Sequence, residues 1–373
     1  MTAQAPGIEG RIDIRFNPRS AAGERVEIMS QRPLQATRLL EGRTGDEVLE
    51  RIALIFSLCA EAQQLAARQA LRQAQGAGDS VLLNQRLTAD MECARELLLR
   101  LLLDDRELLG NDQGAGILPH INGLTPRMRE SATETEQLTA IETLERLLLE
   151  HVFLRPAADW LDIDRIDELE NWLTNNDSPA SRMLHFICEN GWASQGSIET
   201  LALPPLPAAQ LMPHLSEDAY IARPHWLGRQ YETSSLTRQR YHPLIAELHR
   251  EFGSGLLTRY TARLIELAGL PGRMRETLRH ALPLAQGGAL PSGQGLAQVE
   301  AARGRLVHAV TLKGDRVAKY RILAPTEWNF HPRGPVARML SSIKAHNDAD
   351  WRMLAELCIR VIDPCVGYRL EVA

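Results

Sequence analysis

The chain is expected to be mainly α, with a helical core and small β elements contributed by its N- and C-terminal segments. Three observations carry this expectation. Leucine is abundant, aromatics make up only 5% of the residues and β-branched residues thin out through the middle, a balance that favours helices. Apolar residues recur at steps of three or four over long stretches from Asp46 onward. Strict alternation is confined to a segment near each end.

The first alternating segment, Ile8 to Phe16, reads as a strand stopped by Asn17-Pro18, and Val26 to Met29 returns beside it. From Asp46 to about Gln75 the period is helical, with Leu49, Ile52, Ala53, Phe56, Cys59 and Ala60 on one face, so Cys59 sits in or beside a buried helix. A second long helix is expected from Asp79 to Leu109. Gly110 to Pro126, rich in Gly, Asn and Pro, reads as a connection. Helices follow over Thr133 to Val152, Ile163 to Leu173 and Ser178 to Asn190. The prolines Pro204, Pro205 and Pro207 mark irregular chain before helices at Ser235 to Phe252 and Gly255 to Leu284. A loop, Gly287 to Gly295, precedes a hairpin between Arg305 and Leu323 that turns at Gly314-Asp315 and presents Leu306, His308, Val310 and Leu312 to one side. A last helix, Asp348 to Ile362, leads into Asp363-Pro364-Cys365.

The charge balance, 42 basic against 47 acidic residues for a net −5, excludes general nucleic-acid binding, which needs a concentrated basic surface. The longest leucine run, Leu97 to Leu103, is broken by Arg100 and is too short to span a bilayer, so no membrane partner is expected. The opening residues lack a basic and apolar leader pattern, and the cytoplasm is the expected compartment. Five cysteines at irregular spacing, with no C-x-x-C pair, fit reduced thiols and leave zinc-ribbon and thioredoxin-type sites unsupported. Cys93, Cys188 and Cys358 read as small hydrophobes on apolar helix faces. His308 reads as a strand histidine satisfied by hydrogen bonds, His331 as a loop residue and Trp328 as packing.

Several blocks together have a specific likeness. E-A-A-R-G-R-L-V-H (Glu300 to His308), the hairpin, A-P-T-E-W-N-F-H-P-R-G-P (Ala324 to Pro335) and the final D-P-C follow in the order seen in nickel-iron hydrogenase large subunits. I-E-G-R-I-D-I (Ile8 to Ile14) resembles that family's R-I-E-G-H strand, and L-E-G-R (Leu40 to Arg43) its L-x-G-R motif. Ile55-Phe56-Ser57-Leu58-Cys59 falls in register on its I-C-G-V-C. The resemblance implies a single hydrogenase large-subunit-like domain over residues 1–373, with matching blocks 1–75 and 293–373 around a helical middle. The departures are informative. Phe56 and Tyr368 stand where the enzymes have one cysteine of each C-x-x-C pair, leaving Cys59 and Cys365. Gln63 and Glu371 replace histidines. This pattern resembles the HoxV/HupK group of hydrogenase maturation proteins.

What the resemblance implies is an assembly scaffold and not an enzyme. Nickel in the family depends on four thiolates, and phenyl and phenol rings cannot replace two of them, so no nickel is expected. Two thiolates, Cys59 and Cys365, can still hold low-spin iron as an Fe(CN)2(CO) unit, bound in passing. Arg303 matches the family's cyanide-facing arginine, and Thr326, after Pro325, its hydroxyl donor to the other cyanide. Asp363 matches an acidic residue above the site and is placed to pair with Arg303, and Glu9 matches the family's proton-transferring glutamate. The implied partners are a HypC-type maturation chaperone and a hydrogenase large-subunit precursor. Tyr368 and the short tail lead to the expectation that no C-terminal peptide is cleaved. Read without the family, Arg303 is equally a surface salt-bridge partner and Glu9 an outward residue of its strand. A divergent redox enzyme, which retention of Glu9 favours, and a metal-free binding module, like the cysteine-free relative in respiratory complex I, stay open as alternatives.

Overall fold

Alternating Ile12, Ile14 and Phe16 bury one face of strand β1 (Arg11–Phe16). In the computed structural model, which describes residues 10–56, 58–77, 82–104, 115–280 and 290–373, β1 is the middle strand of a three-stranded sheet. Strand β2 (Val26–Ser30) lies antiparallel on one side, as its apolar pattern predicts. On the other side the C-terminal strand, labelled β6 (Gly367–Val372), runs parallel, pairing Arg11 with Gly367 through Phe16 with Val372. The sheet therefore ties the two chain ends together directly behind Asp363-Pro364-Cys365. Tyr368, Leu370 and Val372 alternate with Arg369 and Glu371 in β6, a signal of only six residues for a strand not among those expected.

The second sheet is antiparallel, in the order β3 (Gln294–Ala301), β4 (Gly304–Lys313) and β5 (Arg316–Leu323). The hairpin β4–β5 matches expectation. The supposed loop ending at Gly295 instead gives way to β3 from Gln294; of that loop, 287–289 lie outside the described residues. Both faces of this sheet are covered, not one. Leu306, His308 and Val310 turn to the helix Ala60–Ala74, while Leu296, Val307, Ala309 and Leu323 join a cluster with Leu206, Leu211 and Trp328. Gly295 permits the close helix approach, since a Cβ there would lie 1.9 Å from the Ala70 carbonyl oxygen.

These elements belong to one of two compact units, formed by Met1–Ser80, Thr200–Ser234 and Pro283–Ala373. Here the expected helix Asp46 to Gln75 is two helices, Gly45–Ile55 and Ala60–Ala74. Thr44 starts the first through a capping box with Glu47. Its buried side is Val48 and Ile52, and Ala53 is exposed, so the expected face is rotated. No glycine or proline marks the interruption, which is why periodicity runs through it.

The other unit, Val81–Glu199 with Ser235–Leu282, is helical. Leu83–Leu99 continues into a wide turn at Arg100–Asp104, and Glu134–Leu148 is capped by Thr133 and Glu136. Residues 79–81, 105–109 and 281–284 of the expected helices lie outside the described residues. The expected connection Gly110 to Pro126 contains most of a helix, Leu118–Glu130. Pro119 sits in its first turn, where a missing N–H costs nothing, and Pro126 is carried inside. Conversely, the single helix expected over Ser235 to Phe252 breaks into Ser235–Gln239 and Pro243–Phe252, because Pro243 can begin a helix but not continue one. Helix Leu256–His280 is buried nearly all round and carries Glu266, which takes two 2.7 Å bonds from Arg238. Cys93 is buried, as read, and burial pushes its thiol up to about 12. Cys188 is exposed, contrary to expectation. Among the described residues no helix is long and apolar enough to cross a membrane.

Candidate metal-cargo site

At the interruption after Ile55, the backbone of Phe56 is extended and Cys59 adopts φ 55°, a left-handed conformation uncommon for a residue with a Cβ. Cys59 is thereby the last residue before helix Ala60–Ala74. It is 4% exposed, at the N-terminus of that helix. At the other end of the chain, helix Asp348–Ile362 closes on Asp363, whose N–H reaches the Ile359 carbonyl and whose φ is 60°. Two of the four non-glycine residues with positive φ among the described residues thus flank the same site, where backbone strain is expected to gather.

Arg303 joins the two ends. It occupies the tight turn between β3 and β4 and is 2% exposed. Its Nη1 donates to Cys59 Sγ at 3.1 Å, and its Nε lies 3.0 Å from Asp363 Oδ2. The Cys365 N–H donates to Thr326 Oγ1 at 3.0 Å, in a short helix, Pro325–Asn329, that opens on Pro325. The Cys59 thiol hydrogen-bonds the Cys365 sulfur, and this contact, the charges of Arg303 and Arg32 and the Thr326 hydroxyl hold the Cys365 thiol down to about 7 against the opposing effect of burial. Cys59, Arg303, Pro325, Thr326, Asp363 and Cys365 are therefore brought together; Glu9 lies outside the described residues. Among the described residues no three His, Cys, Asp or Glu side chains converge as a metal centre.

Two residues that sequence reading passed over hold the cradle in place. Thr233 N–H donates to Asn329 Oδ1 at 3.0 Å, Asn329 Nδ2 donates to the Thr233 carbonyl at 2.8 Å, and Arg305 N–H donates to Thr233 Oγ1 at 2.8 Å. They fasten the Arg303 turn to the helix bearing Thr326. Asn329 was visible within the A-P-T-E-W-N block; Thr233, in the middle of the chain, carried no signal. Gly304 completes the fastening. Its φ is 124°, and a Cβ would lie 2.3 Å from the Thr233 carbonyl oxygen. Gly304→Ala is accordingly expected to cost about 3 kcal/mol in a urea melt and to displace Arg303, whereas a loss under about 0.5 kcal/mol would show that the turn is not so constrained.

The substituted positions have other partners. Tyr368 donates its hydroxyl to Glu356 Oε2 at 2.6 Å, and Glu371 pairs with Arg15 on the sheet surface. Gln63 meets His308, which is fully buried, with neutral imidazole enforced by burial that takes its pKa down to about 3. Gln63 Oε1 can only accept, so His308 carries its proton on Nε2 (2.7 Å) and its Nδ1 accepts from the Tyr320 hydroxyl (2.8 Å). His308 is thus the satisfied strand histidine that was expected. His331 is 4% exposed and likewise held neutral, its pKa lowered to about 4 chiefly by burial, and Trp328 packs at 0% exposure.

The fold is the one shared by nickel-iron hydrogenase large subunits. The nickel-dependent hydrogenase family model matches residues 259–367. The nickel-iron-selenium hydrogenase of D. vulgaris Hildenborough superposes with a TM-score of 0.63 at 14% identity, over 91% of this chain and 92% of that one. An NAD+-reducing nickel-iron hydrogenase gives 0.56 at 15% identity, over 93% of both chains. Among curated proteins, the hydrogenase expression/formation protein HoxV of Cupriavidus necator is 33% identical over 99% of this chain and 97% of its own length. HupK of Rhizobium leguminosarum bv. viciae is 30% identical over 97% and 96%. The chain belongs to the HoxV/HupK family of hydrogenase expression/formation proteins.

Proposed function

We propose that the protein is a non-enzymatic maturation scaffold that holds an Fe(CN)2(CO) unit as cargo between Cys59 and Cys365. It receives the unit from a HypC-type chaperone and yields it to a hydrogenase large-subunit precursor. The observation that carries this reading is the Cys59–Arg303–Asp363 chain of contacts with Cys365 and Thr326 beside it.

Two thiolates suit a ferrous ion whose other positions are already filled by strong-field diatomic ligands, and they leave nickel short of the soft donors it requires. Cyanide nitrogen accepts hydrogen bonds, and leaving it unsatisfied in a buried site costs a few kcal/mol. Arg303 supplies a charge-assisted donor and Thr326 a hydroxyl. Cargo held by two protein bonds is also easier to release than a metal held by four. The engagement of both His308 ring nitrogens by Gln63 and Tyr320, and of Tyr368 by Glu356, supports roles in packing and not in ligation.

The reading is tested in cells. With Cys59→Ala and Cys365→Ala combined, the served large subunit is expected to accumulate as an inactive precursor while the variant protein stays at normal abundance on immunoblots. Full hydrogenase activity with the double variant would replace this reading with that of a metal-free chaperone.

A further inference from the structure

The ion pair between Arg32 and Glu327 has no role in the scheme above, yet it adjoins the site. Arg32 follows β2 by two residues, and Glu327 follows Thr326 in its helix. The side chains are 11% and 5% exposed, and Arg32 Nη1 donates to Glu327 Oε1. The remaining capacity is not used: Arg32 Nε and Glu327 Oε2 are buried and, among the described residues, without a hydrogen-bond partner. Native folds rarely leave such atoms unmade without a reason.

Both residues line a cavity of about 280 Å³, together with Thr326 and the apolar Ile12, Ile28 and Phe330. Thr326 also accepts from the Cys365 N–H, so this cavity and the sulfur site share the Thr326 wall, and the Arg32 charge acts on the Cys365 thiol. The charge count is also unfinished. Ferrous iron with two cyanides and two thiolates is a dianion, and Arg303 is already engaged by Asp363. The bond to Glu327 leaves the buried Arg32 Nε–H without a partner among the described residues.

We propose that Arg32, oriented by Glu327, is a second cargo-facing cation that donates its free Nε–H to the cyanide on the Thr326 wall of this cavity. This rests on the cargo reading above and deepens it. Arg303 then serves one cyanide, and Arg32 with Thr326 serves the other.

The test uses infrared spectra of full-length protein purified anaerobically from a host that matures nickel-iron hydrogenases. Arg32→Gln is expected to lower band intensity per chain about tenfold, the effect of one lost charge-assisted hydrogen bond. Arg32→Lys and Glu327→Gln are milder and serve should Arg32→Gln fail to fold. Each is expected to shift the same cyanide band that Thr326→Val shifts, leaving in place the band that Arg303→Lys shifts. Wild-type bands accompanied by unshifted bands and full intensity in Arg32→Lys and Glu327→Gln would overturn this assignment alone. Absence of bands from the wild type would overturn the cargo reading and this inference together.

Discussion

Arg303→Leu is expected to strip the site of cargo and to destabilise the chain by about 3 kcal/mol. The guanidinium is 1% exposed and its partner carboxylate 15% exposed. Removing one member of a buried pair leaves the other charge without compensation, which typically costs 3–5 kcal/mol, and the lower end applies to the less buried Asp363. Leucine also leaves Cys59 Sγ without its 3.1 Å donor. Arg303→Lys should be intermediate: the charge is kept, but an ammonium cannot reproduce the fixed fork that spans sulfur and carboxylate. Urea melts give the first effect and iron content per chain the second. A leucine variant of wild-type stability with full iron would show that Arg303 organises neither.

Cys365 should react with iodoacetamide at neutral pH far more readily than an ordinary thiol. With its pKa lowered from 9.0 to about 7, half of it is thiolate at pH 7, against about 1% for the unshifted group, so the reactive fraction rises about fifty-fold. The largest contribution is the hydrogen bond from Cys59, so Cys59→Ala should move the labelling profile upward. Cys59 itself, 4% exposed, should label slowly. The same shift has a sign for stability. Cys365 ionises more easily folded than unfolded, so between about pH 7 and 9 the native state binds fewer protons. Its contribution is complete above 9 and disappears as pH falls through about 7. Peptide mapping of labelled cargo-free protein across pH 6–9 reads this; a Cys365 profile centred at 9 in the wild type would refute it.

Much of the site was legible because its residues lie in short blocks whose order along the chain is itself informative: E-A-A-R-G-R, A-P-T-E-W-N and D-P-C. The helix Asp348–Ile362 and the hairpin β4–β5 were legible from period and turn chemistry alone. What escaped notice shares a physical cause, namely that tertiary contacts decided against local signals. The break at Phe56–Cys59 has no breaker residue. β6 does alternate apolar and polar residues, but it is six residues long and finds its partner, β1, only at the other end of the chain. The helix Leu118–Glu130 tolerates prolines that composition reads as loop. Thr233 matters only through its bonds to Asn329 and Arg305. Sequence could propose that Cys59 and Cys365 share an ion; only folding places both beside Arg303.

The most direct measurement is infrared spectroscopy combined with metal analysis of the wild-type protein, purified without oxygen from a maturation-competent host. The account predicts one carbon monoxide and two cyanide stretches, iron approaching one per chain and no nickel, with the bands lost in either single cysteine variant. Clean protein without those bands, or nickel at a stoichiometric level accompanied by hydrogen uptake, would contradict it.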